Sequence, residues 1–138
     1  MTIGSWYVLG RRDNLTPVTS FEAQLEGIRY GRLVEIETDY AEIEIDDRLT
    51  GNKATNRIFV DDEAEVAVES RRLADLFPER PERHEIAATD VRYTITWDCK
   101  YSDENYNARC VIAETLAKVT GGIVYDLMDG RIVWSSFE

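Results

Sequence analysis

Few residues in this chain have the types and spacing that support chemistry. His84 is the single histidine, and Cys99 and Cys110 are the two cysteines. His84 follows a Pro/Glu/Arg stretch and reads as a surface residue rather than a positioned general base. The cysteines stand eleven positions apart with no CxxC and no neighbouring histidines, so they read as small buried apolar residues. A disulfide between them has no secretory context to support it. Neither a GxSxG elbow nor a GxxxxGK[ST] loop is present, and no GxGxxG follows a strand. Asp61-Asp62-Glu63 and the pair Asp126 and Asp129 offer oxygens to a hard cation, without the ligand order of an EF-hand. Two carboxylates could converge for glycoside chemistry, but among 27 acidic residues such a coincidence is no evidence. A cleft of Tyr7, Tyr93, Trp97 and His84 is the one arrangement that would suit a small ligand or an enzyme. This inventory points away from catalysis and calls for no metal and no cofactor.

The acidic residues are more informative in their order. Leu33 to Asp47 carries Glu35, Glu37, Asp39, Glu42, Glu44, Asp46 and Asp47 with no Lys or Arg among them. Val34, Ile36, Ala41, Ile43 and Ile45 alternate with the charges, the period of strands that bury one face. The acidic parity changes once, which predicts a turn or bulge near Asp39-Tyr40-Ala41 that returns both runs to one face. A turn there sets like charges opposite each other, which costs stability. Such a surface gains from meeting a cationic partner, with Tyr40 as an aromatic anchor. A plain solvated face is the alternative, since charge on a strand is a weak functional signal.

The elements that position these residues fit one domain of 138 residues, with 43% hydrophobic and 31% charged side chains. Ile3 to Leu9 reads as a strand. Thr19-Ser20-Phe21-Glu22 matches a capping box, followed by Phe21, Leu25 and Ile28 at helical spacing and by Gly27 and Gly31. Thr50-Gly51-Asn52-Lys53 is a turn signal, Arg57 to Val60 a strand, and Glu65 to Glu69 another, on the alternation of Val66 and Val68. Leu73, Leu76 and Phe77 share a helical face from Ser70 until Pro78 ends it, and a charged loop runs from Pro81 to Arg83. Val91 to Trp97 is β-branched and aromatic. Ser102 or Asp103 caps a helix with a buried stripe of Ala108, Ile112, Leu116 and Val119, and Gly121-Gly122 stops it. Ile123 to Leu127 and Arg131 to Trp134 are strands joined by a tight turn at Met128-Asp129-Gly130. Trp6, Trp97 and Trp134 fall in or beside strands and read as core. The expected fold is a single α+β domain, residues 1–138, a mainly antiparallel sheet with two or three helices packed on one face.

A formal net charge of −11 disfavours direct binding to nucleic acid or to an anionic membrane, and favours a basic protein partner. Met1 to Gly10 lacks the pattern of a signal peptide, and no apolar segment reaches the length of a membrane span, so a cytoplasmic location is expected.

The segment from Ala113-Glu114-Thr115-Leu116-Ala117 through Thr120-Gly121-Gly122-Ile123-Val124-Tyr125-Asp126 to Asp129-Gly130 resembles the C-terminal part of small bacterial immunity proteins. Those proteins neutralise toxins exchanged between competing bacteria by contact-dependent or type VI systems. The resemblance covers about the last quarter of the chain. It implies a stoichiometric inhibitor that occludes a cytoplasm-acting toxin and carries no catalytic residues. The expected contact surface is Glu35, Glu37, Asp39, Tyr40, Glu42, Glu44, Asp46 and Asp47, facing a basic cleft of the cognate toxin. Two other functions compete with it: a nucleic-acid mimic that blocks a DNA-binding protein, and a small-ligand or enzymatic domain built on the Tyr7 cleft.

Overall fold

The computed structural model describes residues 4–48, 51–98, 103–120 and 122–135. Expectations that fall on Ile3, Thr50, Cys99, Ser102 and Gly121 lie outside them. Seven strands form one sheet: β1 (Gly4–Gly10), β2 (Gly31–Glu37), β3 (Tyr40–Asp46), β4 (Lys53–Asp61), β5 (Val91–Trp97), β6 (Ile123–Asp126) and β7 (Arg131–Ser135). Their order is β2-β3-β4-β5-β1-β6-β7, and every neighbouring pair is antiparallel. Helices α1 (Glu22–Glu26), α2 (Ala64–Ala74), α3 (Arg83–Ala87) and α4 (Asp103–Thr120) complete a single α+β domain.

Adjacent residues of β1 point to opposite faces, and each face has its own core. Trp6 and Val8 join Ile43, Ile45, Ile58, Tyr93 and Ile95, all buried beneath α4 and the segment Val18, Phe21 and Leu25. Leu9 and Ile123 point the other way and pack on Ala74 of α2 and Ile86 of α3. The helices, expected on one face, divide between two: α1 and α4 cover one side of the sheet, while α2, which contains the start of the helix expected from Ser70, and α3 form a second layer on the other. On α4 the buried stripe is Ala108, Ile112, Leu116 and Thr120 at four-residue steps. Val119, expected in that stripe, is 48% exposed. A hydrogen bond of 2.6 Å from the Asn56 side-chain amide to Asn105 ties β4 to the first turns of α4.

Several local expectations are corrected. Glu65 to Glu69 is helix, not strand: Val66 and Ser70 are buried one helical turn apart, with Ala74 a turn further, and Val68 faces solvent. Two alternating valines are too few to separate a period of two from 3.6. The capping box at Thr19 does not form. Pro17 opens a 3-10 turn at Val18–Phe21, so Thr19 lies inside it, and no side chain caps α1. The loop after Pro81 turns into α3, which carries His84.

The β2–β3 hairpin turns at Thr38 and Asp39, and Glu37 pairs with Tyr40. This is where the parity change placed a turn. A second irregularity, at Val34 between Leu33 and Glu35, shifts the register of β2. The bulge turns Val34 out to 43% exposure, and Leu33 packs against the core in its place. At the β6–β7 turn, Asp126 accepts hydrogen bonds from the amides of Met128 (2.9 Å) and Asp129 (3.1 Å). Gly130 closes that turn at φ 65°, a conformation that favours glycine.

Candidate protein-binding face

The hairpin turn places the acidic side chains on the sheet face opposite α4. Cross-strand register aligns Glu37, Tyr40, Phe59, Thr94, Tyr7 and Tyr125 in one row over β2, β3, β4, β5, β1 and β6. Beside it runs the row Glu35, Glu42, Arg57, Thr96 and Ser5. The opposite side of the same strands buries Ala41, Ile58, Ile95 and Trp6. Alternation thus carries the whole arrangement: one set of parities makes the core and the other makes this face.

The carboxylates on it fall into two kinds. Glu42 accepts from Arg57 Nε at 3.1 Å and from the Tyr40 hydroxyl at 3.2 Å. Glu44 lies 3.2 Å from Lys53 Nζ and 3.4 Å from Arg32. The Lys53 ammonium, and then Arg32, hold the Glu44 carboxyl below its usual range. Burial, with the Glu42 charge second, pushes the Tyr40 phenol up. Glu35, Glu37 and Asp39 are exposed and make no ion pair among the described residues, and Asp46 is exposed opposite Lys53. Asp47 does not belong to this surface: it is 9% exposed, and its backbone bonds to Asn52 and Gly51. Cations from β2 and β4 therefore interrupt a stripe that contains no Lys or Arg in sequence.

Phe59 is the residue that sequence reasoning missed. It is 39% exposed near the end of β4, with its ring 5.2 Å from that of Tyr40. The signal was present, because Ile58, Phe59 and Val60 break alternation and one of them must face outward. Further along the same face, α2 packs on the sheet through Leu73 and Ala74 and leaves beside it a groove of about 370 Å³. Tyr7, Leu73, Leu76, Tyr125 and Leu127 line it. Arg92 lies beneath α2, 11% exposed, paired with Asp61 at 2.9 Å and Glu69 at 2.7 Å, its guanidinium 4.0 Å from the Tyr7 ring centre.

The cleft drawn from Tyr7, Tyr93, Trp97 and His84 is not brought together. Tyr93 pairs with Val8 and shares its face, so the sheet separates it from Tyr7. Its hydroxyl is bonded to the Thr16 backbone. Trp97 stacks on Arg109 at 3.7 Å, and His84 is exposed on α3. Cys110 is half-buried and free. Asp61 and Asp126, weighed above as cation ligands, serve Arg92 and the β6–β7 turn. Among the described residues no group of three or more His, Cys, Asp or Glu is placed to hold a metal, and no helix is long and apolar enough to cross a membrane.

The fold is an α+β domain whose sheet is covered by α1 and α4 on one face and in part by α2 and α3 on the other, where the uncovered end is acidic and aromatic. Comparison with protein-family models, with curated proteins and with solved structures gives no match.

Proposed function

We propose that this chain is a stoichiometric protein inhibitor, an immunity protein that binds a cytoplasm-acting bacterial toxin and occludes it without chemistry of its own. The observation that carries this reading is the Tyr40–Phe59 pair beside the β2–β3 turn, Tyr40 half-buried and Phe59 39% exposed, bordered by the carboxylates Glu35, Glu37 and Asp39, which make no ion pair among the described residues. An aromatic centre with a charged rim is the usual anatomy of a protein contact surface. The net charge of −11 supports a basic partner, which it would steer. The C-terminal resemblance to immunity proteins points the same way. Nucleic-acid mimicry is the weaker proposal, because Arg32, Lys53 and Arg57 break the row of carboxylates that mimicry needs.

The test is co-expression with the toxic domain of a secreted protein encoded beside this chain. Protection of the cell and a one-to-one complex on purification are expected. Association should slow as salt rises, because exposed charges are screened over about 8 Å at physiological ionic strength. No protection and no complex with any neighbouring product would overturn the proposal.

A further inference from the structure

We propose that the groove beneath α2 is the apolar anchor site of the same contact face, and that its occupant is a partner segment basic at one end and apolar at the other, lying across the strands. This rests on the inhibitor function above and adds where, and by what chemistry, the partner is held.

The direction follows from the register. Tyr40, Phe59, Thr94, Tyr7 and Tyr125 occupy one cross-strand row, four strand-to-strand steps long, and Tyr125 at its end is buried against Phe77 and forms the floor of the groove. At about 4.8 Å per step the row spans roughly 19 Å. A helix of about 13 residues covers that distance. Chemistry changes along the row in one direction, from the carboxylates of Glu35, Glu37 and Asp39, through the Tyr40–Phe59 pair, to the apolar groove.

The groove has the build of a receptor for side chains. Leu76 is 66% exposed, Leu127 47% and Met128 69%. Single exposed leucines are ordinary, but Leu76, just past α2, and Leu127, just past β6, line one concavity, with Met128 next in chain. The floor is already satisfied. Asp61 and Glu69 neutralise Arg92, and Tyr7 stacks on it. The other cation of the lining, Arg72 of α2, is exposed at the rim, so an entering group meets apolar surface over a neutralised floor, which favours an aliphatic or aromatic side chain over an ion.

Charge complementarity sets the other end of the occupant, since the unpaired carboxylates there call for Lys or Arg. It also argues against a second copy of this chain, because each copy carries −11. The two ends then divide the work of binding: charge accelerates encounter, and burial in the groove slows release.

The experiment measures association and dissociation rates for the complex obtained by co-expression. Leu76→Ser and Leu127→Ser remove apolar side chains that are 66% and 47% exposed and add no charge, so melting temperatures should change little. Each is expected to speed dissociation at least tenfold, with association and its salt dependence unchanged. Glu35→Gln with Glu37→Gln should do the reverse, slowing association and flattening its salt dependence while dissociation changes little. If both serine variants dissociate at the wild-type rate, the groove assignment is overturned and inhibition through the acidic end stands. A wild-type chain that forms no complex overturns both. A concentration-dependent dimer of the wild type, abolished by Leu127→Ser in sedimentation, would assign the groove to a second copy and also overturn the proposal.

Discussion

Glu42 and Arg57 stand opposite each other on β3 and β4, with Arg57 Nε 3.1 Å from the carboxylate and Glu35 facing Glu42 from the other side. Arg57 thus relieves a like-charge pair that the hairpin creates. Arg57→Met should lower stability by about 1 kcal/mol, the upper range for a partly exposed pair. Adding Glu42→Gln should recover most of the loss, because the carboxylate left beside Glu35 is then gone. A double-mutant cycle in urea checks this, and additive losses would show that Arg57 contributes through Asp98, 3.7 Å away, or by packing instead.

The two kinds of carboxylate should respond differently to neutralisation. Glu35→Gln with Glu37→Gln should leave the melting temperature unchanged or raise it slightly, since neither makes an ion pair among the described residues. Glu42→Gln with Glu44→Gln should lower it, because Arg57, Lys53 and Arg32 lose the negative charge of these partners. Ile43→Ala, at a fully buried position of the same strand, should cost about 2–5 kcal/mol. The reverse ranking in thermal melts would place the wrong face in the core.

Tyr30 lies at φ 61°, between the guanidinium groups of Arg29 and Arg48, 4.8 and 4.2 Å from its ring centre. A left-handed backbone costs a residue with a Cβ about 1–2 kcal/mol, and the stacked arginines offset part of that. Tyr30→Ala loses the ring and keeps the strain, whereas Tyr30→Gly loses both. Glycine should therefore be the more stable of the two by about 1 kcal/mol, the opposite of the usual order. Denaturant midpoints decide it.

Glu82 is 2% exposed and accepts from Arg80 at 3.1 and 3.0 Å. These bonds hold its carboxyl below the ordinary range, against the opposing effect of burial. A folded-state pKa below the unfolded value of about 4.3 gives stability that is complete above that value and lost as pH falls through the lowered one. Glu82→Gln should be less stable than wild type at pH 7, and the gap should close on acidification below about pH 4. A constant gap from pH 7 to pH 2 would mean that the ionised pair contributes nothing.

Some of this molecule was legible in its sequence, and the limit has a physical cause. The hairpin of β2 and β3, the strand at Val91–Trp97, the turn at Gly130 and the long helix α4 are encoded by period and by turn residues. Those signals act between residues a few positions apart, and they determine which side chains can share a face. The parity change at Asp39 was enough to set Glu35 and Glu42 on one side of the sheet. Local signals failed where two periods fit equally, as at Val66 and Val68, or where an earlier turn displaced a cap, as at Thr19.

Relationships between residues far apart in the chain arise only once the strands are assembled. β1 lies between β5 and β6, so Tyr7 meets Tyr125 and is cut off from Tyr93. Lys53 and Arg57, outside the acidic stretch, neutralise its centre because β4 pairs with β3 in one register. Bulging at Val34 chose Leu33 for the core. The groove under α2 exists because a helix from residues 64–74 rests on strands drawn from both ends of the chain. The sequence determined the charge and the alternation; strand order and register, which follow from burying every apolar face at once, decided which charges remain unpaired and where the apolar groove opens beside them.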